Sequence, residues 1–186
     1  VAMAVDGGGW LGWINQLRSP NCDLRPTGCV VDLLVIHCIS LPRGQYLNGD
    51  VEALFLNTLD CTRHPSYGEL EGLRVSAHFL IDRQGIATQF VSLADRAWHA
   101  GVSGFDGRTA CNDFSIGVEL EGVDDGLFEP EQYETLHRIV AAVRRFSPAI
   151  TPERIVGHSD IAPGRKADPG PGFDWERARA VWRTQR

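Results

Sequence analysis

A short, continuous apolar run, Leu33-Leu34-Val35-Ile36, ends in the polar pair His37-Cys38 and constrains the fold more than any other segment. Its length and its polar end are more typical of a buried strand than of a helix. A second strand is predicted over Ser115 to Glu121, where apolar and polar residues alternate. This alternation places Glu119 and Glu121 together on one face of the strand and the apolar side chains on the other.

Further strands and helices are interleaved along the rest of the chain. The strand signals predict two strands between Arg74 and Val91, joined by a turn at 82–85, and a short strand at 154–157. The helix signals predict a helix that Asp50 caps and that reaches about Leu59, a helix from Pro130 to about Phe146, and a final helix that Asp174 caps. Strands interleaved with helices predict an α/β fold with a central mixed sheet flanked by helices. We expect a flexible N-terminal lead over 1–11 and a single domain over 12–186.

Composition excludes several classes of partner. The 18 basic and 24 acidic residues give a formal net charge of −6, and the basic residues are scattered, so nucleic acid is not an expected partner. No apolar run approaches the roughly 20 residues that span a membrane. We therefore expect no membrane association, and we favour a monomer.

The cysteines indicate the compartment. Their number is odd and no two are spaced as C-x-x-C, so we interpret them as reduced thiols of a cytoplasmic protein. A bridge between Cys22 and Cys29 stays open as an alternative. The five residues are Cys22, Cys29, Cys38, Cys61 and Cys111.

Three side chains have the types and positions of metal ligands. His37 and His158 each lie where a predicted strand meets a loop, and Asp168 precedes Pro169, which restricts its backbone to extended conformations. Two imidazoles and one carboxylate leave the fourth position of a tetrahedral Zn²⁺ ion open, as catalytic zinc sites do. Zinc at such a site lowers the pKa of water and makes it a nucleophile.

Two further residues complete a candidate active site. Glu119, on the face of its strand opposite to the apolar set, is the candidate general base and acid. Lys166, two residues before Asp168, could stabilise an oxyanion at the attacked carbonyl. Glu119 and Lys166, together with the three candidate ligands His37, His158 and Asp168, predict a metal-dependent amide hydrolase.

Two other functions remain open at this point. A glycosidase could use Glu119 and Glu121, whose spacing along one strand approaches that of paired catalytic carboxylates. That hypothesis gives no role to the two histidines, Lys166 or Asp168. A binding module without turnover is the third hypothesis, and metal content separates the first hypothesis from both others.

Five segments of the chain resemble the zinc N-acetylmuramyl-L-alanine amidases, and the similarity extends from about Gly12 to Trp182. The segments are Val35-Ile36-His37-Cys38-Ile39-Ser40-Leu41-Pro42, Arg74-Val75-Ser76-Ala77-His78, Arg96-Ala97-Trp98-His99-Ala100-Gly101-Val102-Ser103, the stretch 111–122, and the stretch 157–171. The resemblance implies the α/β fold that this family shares with peptidoglycan recognition proteins. It also implies zinc held by His37, His158 and Asp168, with Glu119 as base and acid and Lys166 beside the tetrahedral intermediate.

The resemblance also implies a muropeptide substrate. The scissile bond would be the amide between the lactyl group of anhydro-N-acetylmuramic acid and the L-alanine of a stem peptide, met during recycling of the bacterial wall. By position, Arg74 and Trp98 would hold the sugar, and Ala162 would offer a backbone contact to the peptide. His99 is expected to line the cleft. Where relatives are expected to carry an arginine for a stem-peptide carboxylate, this chain has Ala110, and Arg108 is the candidate substitute.

Overall fold

The computed structural model describes residues 5–184 and contains ten strands and four α-helices in that part of the chain. The strands are β1 Asn15–Gln16, β2 Cys22–Leu24, β3 Leu33–Ile39, β4 Phe79–Ile81, β5 Ala87–Gln89, β6 Asp95–Ala97, β7 Gly104–Phe105, β8 Arg108–Thr109, β9 Ser115–Glu121 and β10 Ile155–Gly157. The α-helices are α1 Asp50–Phe55, α2 Pro130–Phe146, α3 His158–Ile161 and α4 Trp175–Thr184, and short 3₁₀ helices cover Pro65–Leu70, Cys111–Asp113 and Pro152–Arg154.

Six strands form one central sheet in the order β1-β5-β4-β9-β3-β10. The β4–β5 pair is antiparallel, and the other neighbours in this sheet are parallel. Two-stranded sheets formed by β2–β6 and by β7–β8 lie outside it. The predicted mixed sheet with flanking helices is therefore confirmed.

The faces of β3 and β9 follow the predicted alternation. Leu34 and Ile36 of β3 pack in one core with Ile116 and Val118 of β9. Helices α2 and α4 cover this face and contribute their own apolar residues to the same core, including Leu136, Val140 and Trp182. The residues between them, among them His37 and Glu119, therefore project from the opposite face.

Helix α2 has the predicted bounds because both of its ends carry strong sequence signals. Pro130 occupies the first helical position, where its missing N–H costs no hydrogen bond. The N–H of Glu129 donates to the Gln132 side chain at 3.0 Å, which satisfies a backbone group at the start of the helix. Buried residues along one stripe then face the sheet.

Helix α1 differs from its prediction at both ends. It ends at Phe55, and Asn57 then adopts a left-handed backbone with φ 60°, so the helix does not reach Leu59. Gly49 is the N-cap, and Asp50 is the first helical residue. The Asp50 carboxylate does not cap the helix, because it accepts hydrogen bonds from Tyr67 at 2.7 Å and from Arg63 at 2.5 Å.

The first strand of the predicted hairpin is also shorter than expected. The turn at 82–85 and β5 are present, but β4 begins at Phe79 and not at Arg74. Ser76 and His78 are as buried as Ala77, so the polar residues after Arg74 do not form the exposed face that the alternation predicts. The N–H of Ser76 donates to the Trp98 carbonyl at 3.1 Å, a contact outside the sheet ladder.

The expected N-terminal lead falls partly outside the described residues, because 1–4 are not among them. Within the described part, Val5 and Leu11 form a bridge and Leu11 is fully buried. The N–H of Leu11 donates to the Gln89 side chain at 2.9 Å. The segment 5–11 is thus packed against the folded unit.

The helices within 5–184 lack the combination of length and apolar character that a transmembrane span requires. All five cysteines are free thiols, and Cys111 is the one that is fully buried.

Candidate metal centre and active site

The three predicted metal ligands meet at one point beside the sheet. His37 lies near the C-terminal end of β3, His158 follows directly after β10, and Asp168 lies in the loop before α4. His37 Nδ1 is 2.9 Å from His158 Nδ1 and 3.2 Å from Asp168 Oδ2, and His158 Nδ1 is 3.1 Å from Asp168 Oδ2. Because β3 and β10 are parallel neighbours, their C-terminal ends bring the two histidines together.

The chemistry of this group fits a bound cation. His158 Nε2 lies 3.2 Å from the Ala100 carbonyl oxygen, which only accepts, and 3.4 Å from Arg165 Nη2, which only donates. The shorter contact assigns the proton to Nε2, and Nδ1 then offers a lone pair. The carboxylate of Asp168 also directs lone pairs to the same point. His37 and His158 are buried and Asp168 is half-buried, so water reaches these lone pairs poorly. A bound cation would offset both the loss of hydration and the repulsion between the lone pairs.

Electrostatics keep His37 and Asp168 in the form that binds metal. Burial lowers the pKa of His37 to about 4, although the neighbouring Asp168 partly opposes this shift. Burial alone would raise the pKa of Asp168, but the close approach of the His158 and His37 rings outweighs burial and lowers that pKa. At neutral pH His37 is therefore uncharged and Asp168 is ionised.

Glu119 lies beside the metal ligands through the sheet register. It pairs with His37 across β3 and β9, and its Oε1 is 4.0 Å from His37 Nδ1. Its Oε2 is buried and has no hydrogen-bond partner among residues 5–184. Burial, and then the charge of Asp168, raise the pKa of Glu119 well above its usual value, while Lys166 opposes the shift. A buried carboxyl group with one free oxygen and a raised pKa is suited to transferring protons.

Two cavities meet at this cluster. One, of about 240 Å³, is walled by the cluster and by apolar side chains such as Leu41, Leu54, Leu70 and Leu73. The other, of about 420 Å³, is lined by Arg43, Arg165 and Lys166 among others. The exposed Lys166 borders both cavities, as do Cys38 and Asp168. A substrate could therefore extend on both sides of the metal ligands.

The predicted sugar-binding residues lie at different distances from the cluster. Trp98 lines the 240 Å³ cavity, and its Nε1 donates to Asp23 at 3.1 Å. Arg74 is exposed and lines a neighbouring cavity of about 340 Å³, which shares Leu54, Leu70 and Leu73 with the first.

The structure places Arg108 in an ion pair with Asp32. Its Nη2 donates to both carboxylate oxygens of Asp32 at 2.7 and 2.8 Å, and its guanidinium stacks on Phe114. Asp32 precedes the N-terminal end of β3, whereas the metal ligand His37 lies near the C-terminal end. Arg108 thus lies toward the end of β3 that is opposite to the predicted metal ligands, and its predicted role toward a stem-peptide carboxylate stays a prediction.

Ala162 and His99 are both engaged by protein atoms. The Ala162 carbonyl accepts from the backbone N–H groups of Arg165 and Lys166 at 3.1 and 3.0 Å. The Ala162 N–H donates to the backbone carbonyl of His158 at 3.0 Å. His99 borders the 240 Å³ cavity, but its ring nitrogens face His37 and Ser115. His99 thus borders the cavity while its ring nitrogens contact protein atoms, and the substrate contacts expected of Ala162 and His99 stay predictions.

Glu121, the second carboxylate of the glycosidase hypothesis, has a structural role. Its Oε1 accepts from the N–H of Leu47 at 2.7 Å and its Oε2 from the N–H of Arg83 at 3.1 Å. Both oxygens therefore anchor loops. Glu121 is not a free partner for Glu119.

Sequence reasoning missed Asn112, which positions the backbone behind the cluster. Its Oδ1 accepts from the N–H of His99 at 3.1 Å and from the N–H of Ala100 at 2.8 Å. The Ala100 carbonyl in turn holds His158. The residue stands in one of the segments that carry the family resemblance, but only the folded chain shows what it contacts.

The loop that carries Asp168 is docked against the loop 124–126. Gly170 has φ +81°, and a Cβ at this position would lie 1.7 Å from the Asp124 carbonyl oxygen. A Cβ at Gly172 would lie 1.8 Å from the Gly126 carbonyl oxygen. Both glycines are required for this close approach, which fixes the backbone beside Asp168.

We expect Gly170→Ala to lower the free energy of unfolding by about 2–5 kcal/mol, because it adds a backbone clash to a left-handed conformation. Gly164 is the matched control, since it has φ +76° but open space around its Cβ position. Gly164→Ala should cost only about 1–2 kcal/mol, the conformational part alone. Urea denaturation of the two variants measures the difference, and equal losses would contradict the docking argument.

Comparisons with known proteins show the family of this chain. The family model for N-acetylmuramoyl-L-alanine amidases, Amidase_2, matches residues 27–171. The chain is 51% identical over 162 residues to the 1,6-anhydro-N-acetylmuramyl-L-alanine amidase AmpD of Haemophilus influenzae, which covers 87% of this chain and 88% of that protein.

Solved structures share the fold. A crystal structure of a selenomethionine derivative of AmpD matches with a TM-score of 0.93 at 47% identity, covering 96% of this chain and 99% of that one. Drosophila PGRP-LB, at 16% identity, matches with a TM-score of 0.60 over 86% of each chain, which confirms the expected relation to the fold of peptidoglycan recognition proteins. The chain therefore belongs to the N-acetylmuramoyl-L-alanine amidase family and is an amidase.

Proposed function

We propose that the protein is a zinc-dependent amidase of cell-wall recycling. It would hydrolyse the amide between the lactyl group of 1,6-anhydro-N-acetylmuramic acid and the L-alanine of the stem peptide. The observation that carries this proposal is the convergence of His37, His158 and Asp168, with Glu119 at 4.0 Å from His37 Nδ1. The Haemophilus influenzae relative is a 1,6-anhydro-N-acetylmuramyl-L-alanine amidase, which supports this choice of substrate.

Two nitrogen donors and one carboxylate oxygen suit Zn²⁺ with one position left open. A zinc ion bound to His37, His158 and Asp168 would supply Lewis-acid chemistry that activates water and polarises the scissile carbonyl. The buried histidines hold their Nδ1 atoms unprotonated for this purpose, and Asp168 contributes negative charge.

The protein's own side chains would move the protons and stabilise charge. Glu119 would take the proton of the attacking water on its carboxylate and return it to the departing alanine amine. Its free Oε2 and its raised pKa support both steps. Lys166, at the junction of the two cavities, would face the oxyanion that develops on the lactyl carbonyl.

The cavities on either side of the cluster are proposed to hold the two parts of a muropeptide. The apolar 240 Å³ cavity with Trp98 suits a sugar, which stacks its ring face on aromatic side chains. The 420 Å³ cavity is proposed to hold the stem peptide. Arg43 is already paired there with Asp124 and Asp125, whereas Arg165 donates to backbone carbonyls, so Arg165 would supply the positive charge for a peptide carboxylate. We propose that the enzyme acts in the cytoplasm as a monomer, where its five thiols would stay reduced.

Mass spectrometry of 1,6-anhydromuramyl tripeptide incubated with the protein tests this function. We expect release of free tripeptide and anhydro-sugar, complete loss of release after treatment with a chelator, and recovery when zinc is returned. The chelator-treated sample is checked for folding by circular dichroism. Metal content is measured in each sample by atomic emission.

Three results would contradict the proposal. Cleavage that persists without metal would exclude a zinc-dependent mechanism. Cleavage of a glycosidic bond would exclude an amidase acting on this substrate. Intact substrate in a folded, zinc-loaded sample would exclude this muropeptide as the substrate and favour a larger murein fragment.

A further inference from the structure

Ser115, the fully buried first residue of β9, has a hydroxyl proton whose position can be assigned. Its Oγ lies 2.6 Å from the Cys111 carbonyl oxygen and 3.1 Å from His99 Nε2. A carbonyl oxygen only accepts, so the one hydroxyl proton lies on the shorter contact. Ser115 Oγ then accepts a hydrogen bond from His99, and His99 Nε2 carries a proton.

The proton position on His99 determines the one on His37. A neutral imidazole protonated at Nε2 has a lone pair at Nδ1, and His99 Nδ1 lies 2.9 Å from His37 Nε2. His37 Nε2 must therefore be the donor of this hydrogen bond. The remaining nitrogen, His37 Nδ1, is left unprotonated and faces His158 and Asp168.

The protein makes room for the His99 ring at a cost in strand stability. A Cβ at Gly117 would lie 2.5 Å from the His99 ring. Glycine in a strand interior is less stable than alanine by roughly 0.5–1 kcal/mol, and here it stands in the middle of the buried strand β9. Because Gly117 has no side chain, the His99 ring can lie against the strand. The His99 N–H donates to Asn112 Oδ1, which holds the backbone of His99 in place.

We propose that His99 is a positioning residue that, with Ser115, fixes the tautomer of His37 so that Nδ1 is ready to bind the metal ion. This inference rests on the proposed function for the identity of the ion, Zn²⁺. Groups that orient a ligand histidine in this way typically change metal affinity by about 10–100-fold. His99 thus acts on the metal through His37.

Two substitutions of His99 separate its hydrogen bond from its bulk. His99→Phe keeps a ring against Gly117 but removes the acceptor, and we expect it to bind zinc about 10–100-fold more weakly than the wild type. His99→Asn places an amide oxygen near the position of Nδ1, and we expect it to recover most of that affinity. Competition with a chromogenic chelator measures zinc affinity for the full chain without using activity.

A second measurement reads the proton positions directly in the zinc-free protein. We expect ¹⁵N NMR of the imidazole groups to show protons at Nε2 of both His37 and His99. Ser115→Ala should redistribute the proton of His99 between its two nitrogens. Ser92→Ala is the matched control, because the Ser92 hydroxyl also donates to a backbone carbonyl, that of Gly8 at 2.6 Å. It should leave both histidines unchanged.

Either of two results would overturn the inference. One is a folded His99→Phe variant that binds zinc as tightly as the wild type. The other is a proton at Nδ1 of His99 in the wild type, which also decides the question if His99→Phe does not fold. A wild-type chain that binds no zinc would instead contradict the proposed function, and the NMR measurement would still locate the protons.

Discussion

Replacing Glu119 with alanine is expected to lower kcat by about 10²–10⁴-fold, the usual contribution of a general acid and base. The variant should keep stoichiometric zinc, because the three ligands, His37, His158 and Asp168, are unchanged. It should also fold, since removing a buried carboxyl group that leaves one oxygen unpartnered relieves a desolvation cost. Release of tripeptide is measured at saturating substrate, and zinc is measured in the same samples.

Glu121→Gln is the matched control for this experiment. Glu121 lies two residues away on the same face of β9, and its oxygens anchor Leu47 and Arg83. The control should lower the free energy of unfolding while kcat of the folded enzyme stays at the wild-type level. Near-normal turnover by Glu119→Ala would exclude Glu119 as the base, and loss of turnover only in Glu121→Gln would reverse the roles of the two carboxylates.

Replacing His158 with alanine is expected to remove both zinc and activity. The imidazole supplies one of three donor atoms that lie within 3.2 Å of one another, so its loss leaves two protein ligands. The loss of zinc affinity should exceed the roughly 100-fold upper limit typical of residues that only orient a ligand. Equilibrium dialysis against zinc, followed by the tripeptide assay, measures both effects.

His64→Ala provides the control for general effects of losing a histidine. His64 lies outside the cluster, where its Nδ1 accepts from the N–H of Ser66 at 3.2 Å. This variant should bind zinc and turn over substrate as the wild type does. Stoichiometric zinc in His158→Ala would remove His158 from the ligand set and leave the site without its predicted geometry.

The sequence predicted those parts of the fold whose signals are local. β3 and β9 are runs of seven residues with apolar patterns, and α2 has a proline at its start and an apolar stripe along its length. The alternation over 74–78 predicts a strand, but the strand begins at Phe79. Alternation alone cannot show which backbone groups find a hydrogen-bond partner in the sheet. Ser76 and His78 are buried by segments distant in sequence.

The convergence of the three proposed metal ligands was predictable because each stands next to a backbone feature that the sequence displays. His37 and His158 follow apolar strands, and Asp168 precedes a proline. The contacts of Arg108 and His99 were not predictable, because they depend on Asp32 and Ser115, which only the folded chain brings close. Gly117 in the middle of a strand pattern was the one available signal that a bulky group approaches β9.

The two kinds of residue around the substrate cavities have different origins in the fold. The reactive groups His37 and Glu119 belong to paired strands, whereas Leu41, Leu54, Leu70 and Leu73 come from the single connection between β3 and β4. Substitutions or insertions in that connection could therefore reshape substrate preference while the chemistry persists. Mutations confined to one contiguous stretch of the gene could thus change the substrate specificity of this amidase, in natural divergence or in directed evolution, while His37 and Glu119 stay unchanged.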